Sequence, residues 1–279
     1  MTFFKELARS KAGMAGFIIL VLFVAVAVLA PWLGLEDPTR GSLRARMVPP
    51  DWWGPHPLGT DEVGRDILSR IVYGSRITLM VAGAAVVAGG IVGTFLGILA
   101  GYAGGITDRI LMRLVDIQLA IPLMMLALLV VAALGPSTVN VVAVLALTSW
   151  IRYARIIRGQ VLSLREREFV QSARAIGASG WRIMLRHILP NVMTPALVVA
   201  TLELARIIVM DAALSFLGLG VQPPNPSWGR MLADGRTYIS TAWWAVTFPG
   251  LAIMLTVLGV NLFGDWLRDY FDPKTRSAR

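Results

Sequence analysis

The stretch Gln160-Val161-Leu162-Ser163-Leu164-Arg165-Glu166-Arg167-Glu168-Phe169-Val170-Gln171-Ser172-Ala173-Arg174-Ala175-Ile176-Gly177-Ala178-Ser179-Gly180-Trp181-Arg182-Ile183-Met184-Leu185-Arg186-His187-Ile188-Leu189-Pro190 separates two apolar segments, Val139–Gly159 and Asn191–Leu219. It carries five arginines and two glutamates. So polar a stretch belongs outside hydrocarbon, where water can satisfy its backbone and side chains. Each flanking segment reaches the roughly 20 residues that cross a bilayer. The chain is expected to be an all-α, polytopic integral membrane protein, with residues 160–190 as a loop outside the bilayer.

Composition supports this. Apolar residues are 56% of the 279 and charged residues 15%, against about a quarter charged in soluble domains. The net charge is +9, and the only lysines are Lys5, Lys11 and Lys274. The arginines collect at helix ends and in short loops, as topology signals do, rather than in a nucleic-acid face. With no cysteine, thiol, disulfide and iron–sulfur chemistry are excluded. His56 and His187 are too far apart in sequence to suggest a metal cage, and Met193 and Met210 read as packing. No lysine follows a glycine, so there is no phosphate-binding P-loop. The chain is expected to bind no cofactor, and any ATP would be hydrolysed by another chain. No Ser/His, paired-Asp or His-cluster arrangement in the helices suggests an intramembrane enzyme.

Outward from the loop, six membrane helices are expected. After a basic head (Lys5, Arg9, Lys11), Ala12–Ala30 is an uncharged run of 19 residues, longer than the apolar core of a signal peptide. Residues 32–76 are polar, and Ile67, Leu68, Ile71 and Val72 predict an amphipathic helix on the membrane surface. Ile77–Thr107 has no charge and repeats Gly89, Gly93, Gly97, Gly101 and Gly105 every four residues, a small-residue ridge that lets helix backbones approach. Gly101 and Gly105 could instead end that helix. Thr107-Asp108 is expected to cap a third helix running to Leu134, kinked at Pro122. Helix four is Val139–Gly159 and helix five Asn191–Leu219. The sixth is Ala242–Leu267, interrupted by Pro249, after a Pro-rich loop over 220–241. With both termini inside, 17 of the 26 Lys/Arg fall on the inner side and 8 outside, with Arg206 inside helix five. This split places the 160–190 loop in the cytoplasm.

Within the loop, Trp181, Met184, Leu185 and Ile188 recur at helical spacing and predict a short amphipathic helix, with Ser179 as its cap and Gly177 closing the helix before it. Such a loop either docks a soluble partner or lies against anionic lipid. In helix five, Glu203, Arg206 and Asp211 lie at membrane depth, where a charge costs about 2.5–3.5 kcal/mol on insertion scales. Glu203 and Arg206 are spaced to pair. They form a structural ion pair, or Glu203 and Asp211 line a pathway and meet a cationic group.

The loop resembles the E-A-A-x3-G-x9-I-x-L-P loop of ABC importer permeases. Gln171-Ser172-Ala173 stands at its E-A-A, Gly177 at its Gly, His187 at its Ile and Leu189-Pro190 at its L-P. Gln, Ser and His depart from the pattern. Two further stretches are similar to permeases of the dipeptide/oligopeptide/nickel family, Leu58–Asp66 continuing to Arg76, and Leu214–Pro224 with Pro226-Ser227-Trp228-Gly229. Gly264-Asp265, Leu267-Arg268-Asp269 and Asp272-Pro273 match that family's end. The resemblance, to the C-type subunit, implies one permease domain over 1–279 with the type I ABC importer fold. It consists of an N-terminal helix over 1–31, an external segment over 32–76 and a five-helix core over 77–279. It implies a heterodimer with a homologous B-type permease, two cytoplasmic ATPases carrying ATP and Mg, and an extracytoplasmic solute-binding protein, in a bacterial or archaeal cell membrane. The docking loop would use Gln171, Ser172, Ala173, Arg174, Ala175, Ile176, Gly177, Ala178, Trp181, His187, Leu189 and Pro190. The implied cargo is a di- or oligopeptide, alternatively a nickel chelate or glutathione-like compound. A stand-alone channel or secondary transporter would have no use for the Gly-centred loop.

Overall fold

The computed structural model describes residues 2–271; the Asp272-Pro273 match lies outside them. A short helix α1 (Thr2–Arg9) precedes α2 (Lys11–Leu29), whose first turn is capped by Ser10 Oγ accepting from the Gly13 N–H at 3.1 Å. An irregular segment follows, and then α3 (Ile67–Ala103). Asp66 caps α3 by accepting from the Ser69 N–H at 2.7 Å. Residues 67–76 are thus the first turns of a 37-residue helix, not a separate surface helix. Nothing between Ile67 and Ile77 breaks helical geometry, so the amphipathic pattern there reports packing against other protein. Helix α3 ends at Gly104, whose φ of 65° suits only a residue without a side chain.

Helix α4 (Gly105–Leu119) starts directly after Gly104, so Thr107-Asp108 lies in its first turn and does not cap it. Pro122 does more than kink the next crossing. It separates α4 from α5 (Leu123–Leu134), and the two are bent by 88°. Helix α6 (Thr138–Leu164) is capped by Ser137 and continues past Gly159. Helix α7 (Glu168–Ala175) is followed by a turn, α8 (Gly180–Ile183), a π-helical stretch over Met184–Ile188, and α9 (Leu189–Phe216). Pro190 has no N–H to offer the ladder, and one residue on the Asn191 side chain donates to the His187 carbonyl at 2.7 Å. Over Met184–Ile188 each turn holds an extra residue, the Leu189 N–H donating to the Met184 carbonyl. The expected short amphipathic helix is therefore α8 with the π-helical stretch, which runs without a break into α9. Helix α10 (Trp228–Gly235) and α11 (Trp244–Phe271) complete the order, and α11 passes through Pro249 without interruption.

Four helices, α2 with its extension to Trp32, α3, α6 and α11, are long and apolar enough to span a membrane, and α4 with α5 counts as a fifth, broken span. Helix α9 is 28 residues long but carries Glu203, Arg206 and Asp211. The glycine ridge is the seam of the bundle. A Cβ on Gly97 would lie 2.7 Å from the Ala154 carbonyl oxygen, and one on Gly101 2.7 Å from the Val161 Cβ. Gly89 and Gly93 abut Ser149 and Trp150 in the same way. Both numbers rise together, so α3 and α6 run parallel. Gly105 is not part of the seam, since nothing lies within 4 Å of its Cβ position. Helix α2 packs antiparallel on α11, with Gly13 against Trp266 and Gly16 against Gly259.

Candidate functional site

Two places carry the chemistry anticipated above. The first is the α7–α8 corner. Val170, Ala173, Ile183, Met184 and Ile188 are buried in one cluster with Ile98 of α3 and Ile157 and Val161 of α6. Val192 and Ala196 of α9 belong to the same cluster, so the inner face of the corner is fixed to three long helices. Its outer face presents Gln171, Ser172, Arg174, Ala175, Ile176 and Gly177, all exposed. Ile176 is 85% exposed, an unusual position for a β-branched apolar side chain beside a turn. Gly177 ends α7 with φ 81°. The Ala178 N–H donates to the Ala173 carbonyl at 3.1 Å, and the Gly177 N–H to the Arg174 carbonyl at 3.0 Å. These two bonds make a Schellman turn, so the shape of the tip is set by the backbone. Ser179 caps α8 through the Arg182 N–H.

The predicted docking residues thus divide between two surfaces. Ala173 faces inward, and Ala178, His187 and Leu189 are half-buried, with the His187 ring 6.5 Å from Phe169. Pro190 is exposed. Trp181 is exposed but stacks on Phe95 at 6.0 Å and lines an apolar cavity of about 430 Å³ between α3 and α9. The Arg174 guanidinium lies over the Tyr102 ring at 5.6 Å.

The second place is a charge cluster halfway along α6 and α9. Arg206 Nε and Nη2 donate to Glu203 Oε2 at 3.1 and 2.8 Å. The expected pair is present, and a third member joins it from α6. Arg152 Nε lies 3.3 Å from Glu203 Oε1. Arg206 also donates to the Thr148 carbonyl at 3.5 Å. The Glu203 side chain is 2% exposed, that of Arg206 20% and that of Arg152 56%. The carboxylate is enclosed, and positive charge faces outward. Sequence reasoning missed Arg152, treating it as an end-of-helix topology marker; α6 runs on to Leu164, which puts Arg152 at mid-helix. Asp211 is also buried, at 1% exposed, and among the described residues neither carboxylate oxygen has a hydrogen-bond partner. It lies inside the protein rather than along an open surface.

The irregular segment after α2 is held by charge. Asp61 accepts from Arg65 Nε at 2.6 Å and from Arg70 Nη1 at 2.6 Å, and Asp234 of α10 lies 3.8 Å from Arg70. Trp228 is fully buried and donates through Nε1 to the Ile71 carbonyl at 2.9 Å. The second and third stretches singled out in the sequence therefore pack on each other across the start of α3. Among the described residues no group of three or more His, Asp or Glu could hold a metal ion.

Residues 93–277 match the family "Binding-protein-dependent transport system inner membrane component", and residues 2–50 match the "N-terminal TM domain of oligopeptide transport permease C". The di/tripeptide transport system permease protein DppC of Pseudomonas aeruginosa is 43% identical, over 99% of this chain and 92% of that protein. The dipeptide transport system permease protein DppC of Alkalihalophilus pseudofirmus is 45% identical, over 98% and 90%. The probable D,D-dipeptide transport system permease protein DdpC of Escherichia coli is 44% identical, over 96% and 89%.

Proposed function

The chain belongs to the family of binding-protein-dependent transport system inner membrane components, and on that premise we propose that it forms half of a translocation pathway for di- or oligopeptides. It is a membrane permease subunit, and the peptide cargo follows from the names of its relatives. Its partners in this reading are a homologous B-type permease, two cytoplasmic ATPases that bind ATP and Mg, and an external solute-binding protein. The observation that carries the reading is the α7–α8 corner, whose exposed tip is joined through one buried cluster to α3, α6 and α9. A partner gripping Ile176 and the turn would move those helices as a body, which is how ATP-driven closure can switch access from one side to the other.

Six spans with both termini inside fit the geometry. Helices α3 and α6 are parallel neighbours, so the chain between them has to return across the bilayer, and the α4–α5 pair supplies that return. Helix α9 is the remaining crossing, its charges turned to protein and to the pathway. Test the reading by reconstituting the chain with its sister permease, ATPases and binding protein in vesicles. ATP-dependent peptide uptake is expected. Uptake that persists without the ATPases would identify a channel or secondary transporter instead.

A further inference from the structure

Two guanidiniums share one carboxylate in the charge cluster. Arg206 donates Nε and Nη2 to Glu203 Oε2, and Arg152 Nε lies 3.3 Å from Oε1 as an ion pair. Among the described residues the two Nη groups of Arg152 and Nη1 of Arg206 make no hydrogen bond, and the trio carries a net charge of +1. The other acid near this face, Asp116 of α4, is taken by Arg155 Nη2 at 2.6 Å and leaves Arg152 uncompensated. Arg152, with its side chain 56% exposed, meets Glu203 of α9, which lies inside the apolar stretch Asn191–Leu219, so it sits at membrane depth rather than at the end of the span. A guanidinium there cannot face lipid without a cost of about 2.5–3.5 kcal/mol, so it faces water or protein. Glu203, by contrast, is enclosed and already engaged, which leaves a cationic cargo group little to meet.

We infer that Arg152 and Arg206, oriented by Glu203, form a mid-membrane binding site for a carboxylate, which in a transported peptide is the C-terminal carboxylate. This rests on the peptide reading above. A guanidinium fork matches a carboxylate in geometry as well as charge. Glu203 serves as a positioning residue: it holds Arg206 by two hydrogen bonds, draws Arg152 by charge, and keeps the local charge at one rather than two. The site is weak enough to release, because Glu203 already offsets one of its two positive charges.

The experiment uses the complete reconstituted importer and two probes, alanyl-phenylalanine with its free carboxylate and the same dipeptide as its C-terminal amide. The binding protein has its own preference between them, but that preference is the same for wild type and variant, so the change in the acid-to-amide uptake ratio isolates the permease. Arg152→Gln should lower that ratio about tenfold, the size of one lost charge-assisted hydrogen bond, with co-purification of the sister permease unchanged. Arg152→Lys keeps the charge without the fork and should retain part of the preference. An equal fall for both probes, no fall for either, or loss of the sister permease from Arg152→Gln would overturn the site, the last by showing that Arg152 faces the partner chain. A wild-type complex that takes up neither probe would overturn the peptide reading itself, and this inference with it.

Discussion

Gly97 of α3 lies so close to Ala154 of α6 that a Cβ at position 97 would stand 2.7 Å from the Ala154 carbonyl oxygen. The contact is to backbone, so no side chain can move aside. Gly97→Val should separate the two helices and destabilise the complex by about 3 kcal/mol or more, as overpacking does when nothing can repack. Gly83 has nothing within 4 Å, and Gly83→Ala should be neutral or slightly stabilising. Thermal unfolding in detergent of the two variants reads the difference; equal effects would show that the seam is not where the ridge puts it.

The Glu203 cluster predicts an asymmetric mutant cycle. Glu203→Gln leaves two arginines facing each other at mid-depth and should cost about 3–5 kcal/mol, as breaking a buried pair does. Adding Arg206→Leu should recover part of that loss, because it removes a charge left without its partner. An additive double mutant would mean that the 2.8 Å contact contributes nothing.

Asp211 should behave in the opposite way. Its carboxylate is buried and, among the described residues, accepts no hydrogen bond. Asp211→Leu should therefore raise stability by about 1–3 kcal/mol, the cost of a buried polar group without a partner. A clear fall in the unfolding midpoint would reveal a partner supplied by another subunit.

Topology can be read by labelling single cysteines in a chain that has none of its own. Ser42, Ala175 and Asn225 are exposed. Cysteines at Ser42 and Asn225 should react with an impermeant reagent from outside intact cells, and one at Ala175 only after the membrane is opened. External labelling at Ala175 would place the α7–α8 corner on the wrong side for an ATPase.

What could be read in advance was local. Ser179 starts a helix because a short oxygen side chain satisfies a free N–H of the first turn, and Gly177 ends one because its φ is positive, whereas the caps Ser10, Asp66 and Ser137 were not anticipated and Thr107-Asp108 did not cap. Hydropathy located the apolar stretches, and the i, i+3 spacing of Glu203 and Arg206 was enough to anticipate their bond. What could not be read was long-range. Arg152 meets Glu203 only because α6 and α9 cross at that height. The inward turn of Ala173 depends on Ile98, 75 residues earlier in the chain. The π-helical stretch before Pro190 and the unbroken passage of α11 through Pro249 are likewise not written in local sequence.

In the proposed importer, Ile176 and Gly177 are the residues through which an ATPase would drive the subunit. Ile176 is 85% exposed, and nothing lies within 4 Å of the Cβ position of Gly177, so changes at either should leave the bundle intact. Gly177→Val would force a β-branched residue to a φ of 81°, a strain of about 1–2 kcal/mol at the turn, and Ile176→Asp would place a charge on the exposed tip. The measurement is ATPase co-purification with Ile176→Asp together with peptide uptake in reconstituted vesicles. The expected result is an inserted, sister-bound permease that loses the ATPases and transports nothing while the isolated ATPases stay active. Full co-purification and full uptake would show that this corner is not where ATP hydrolysis is coupled to the membrane helices.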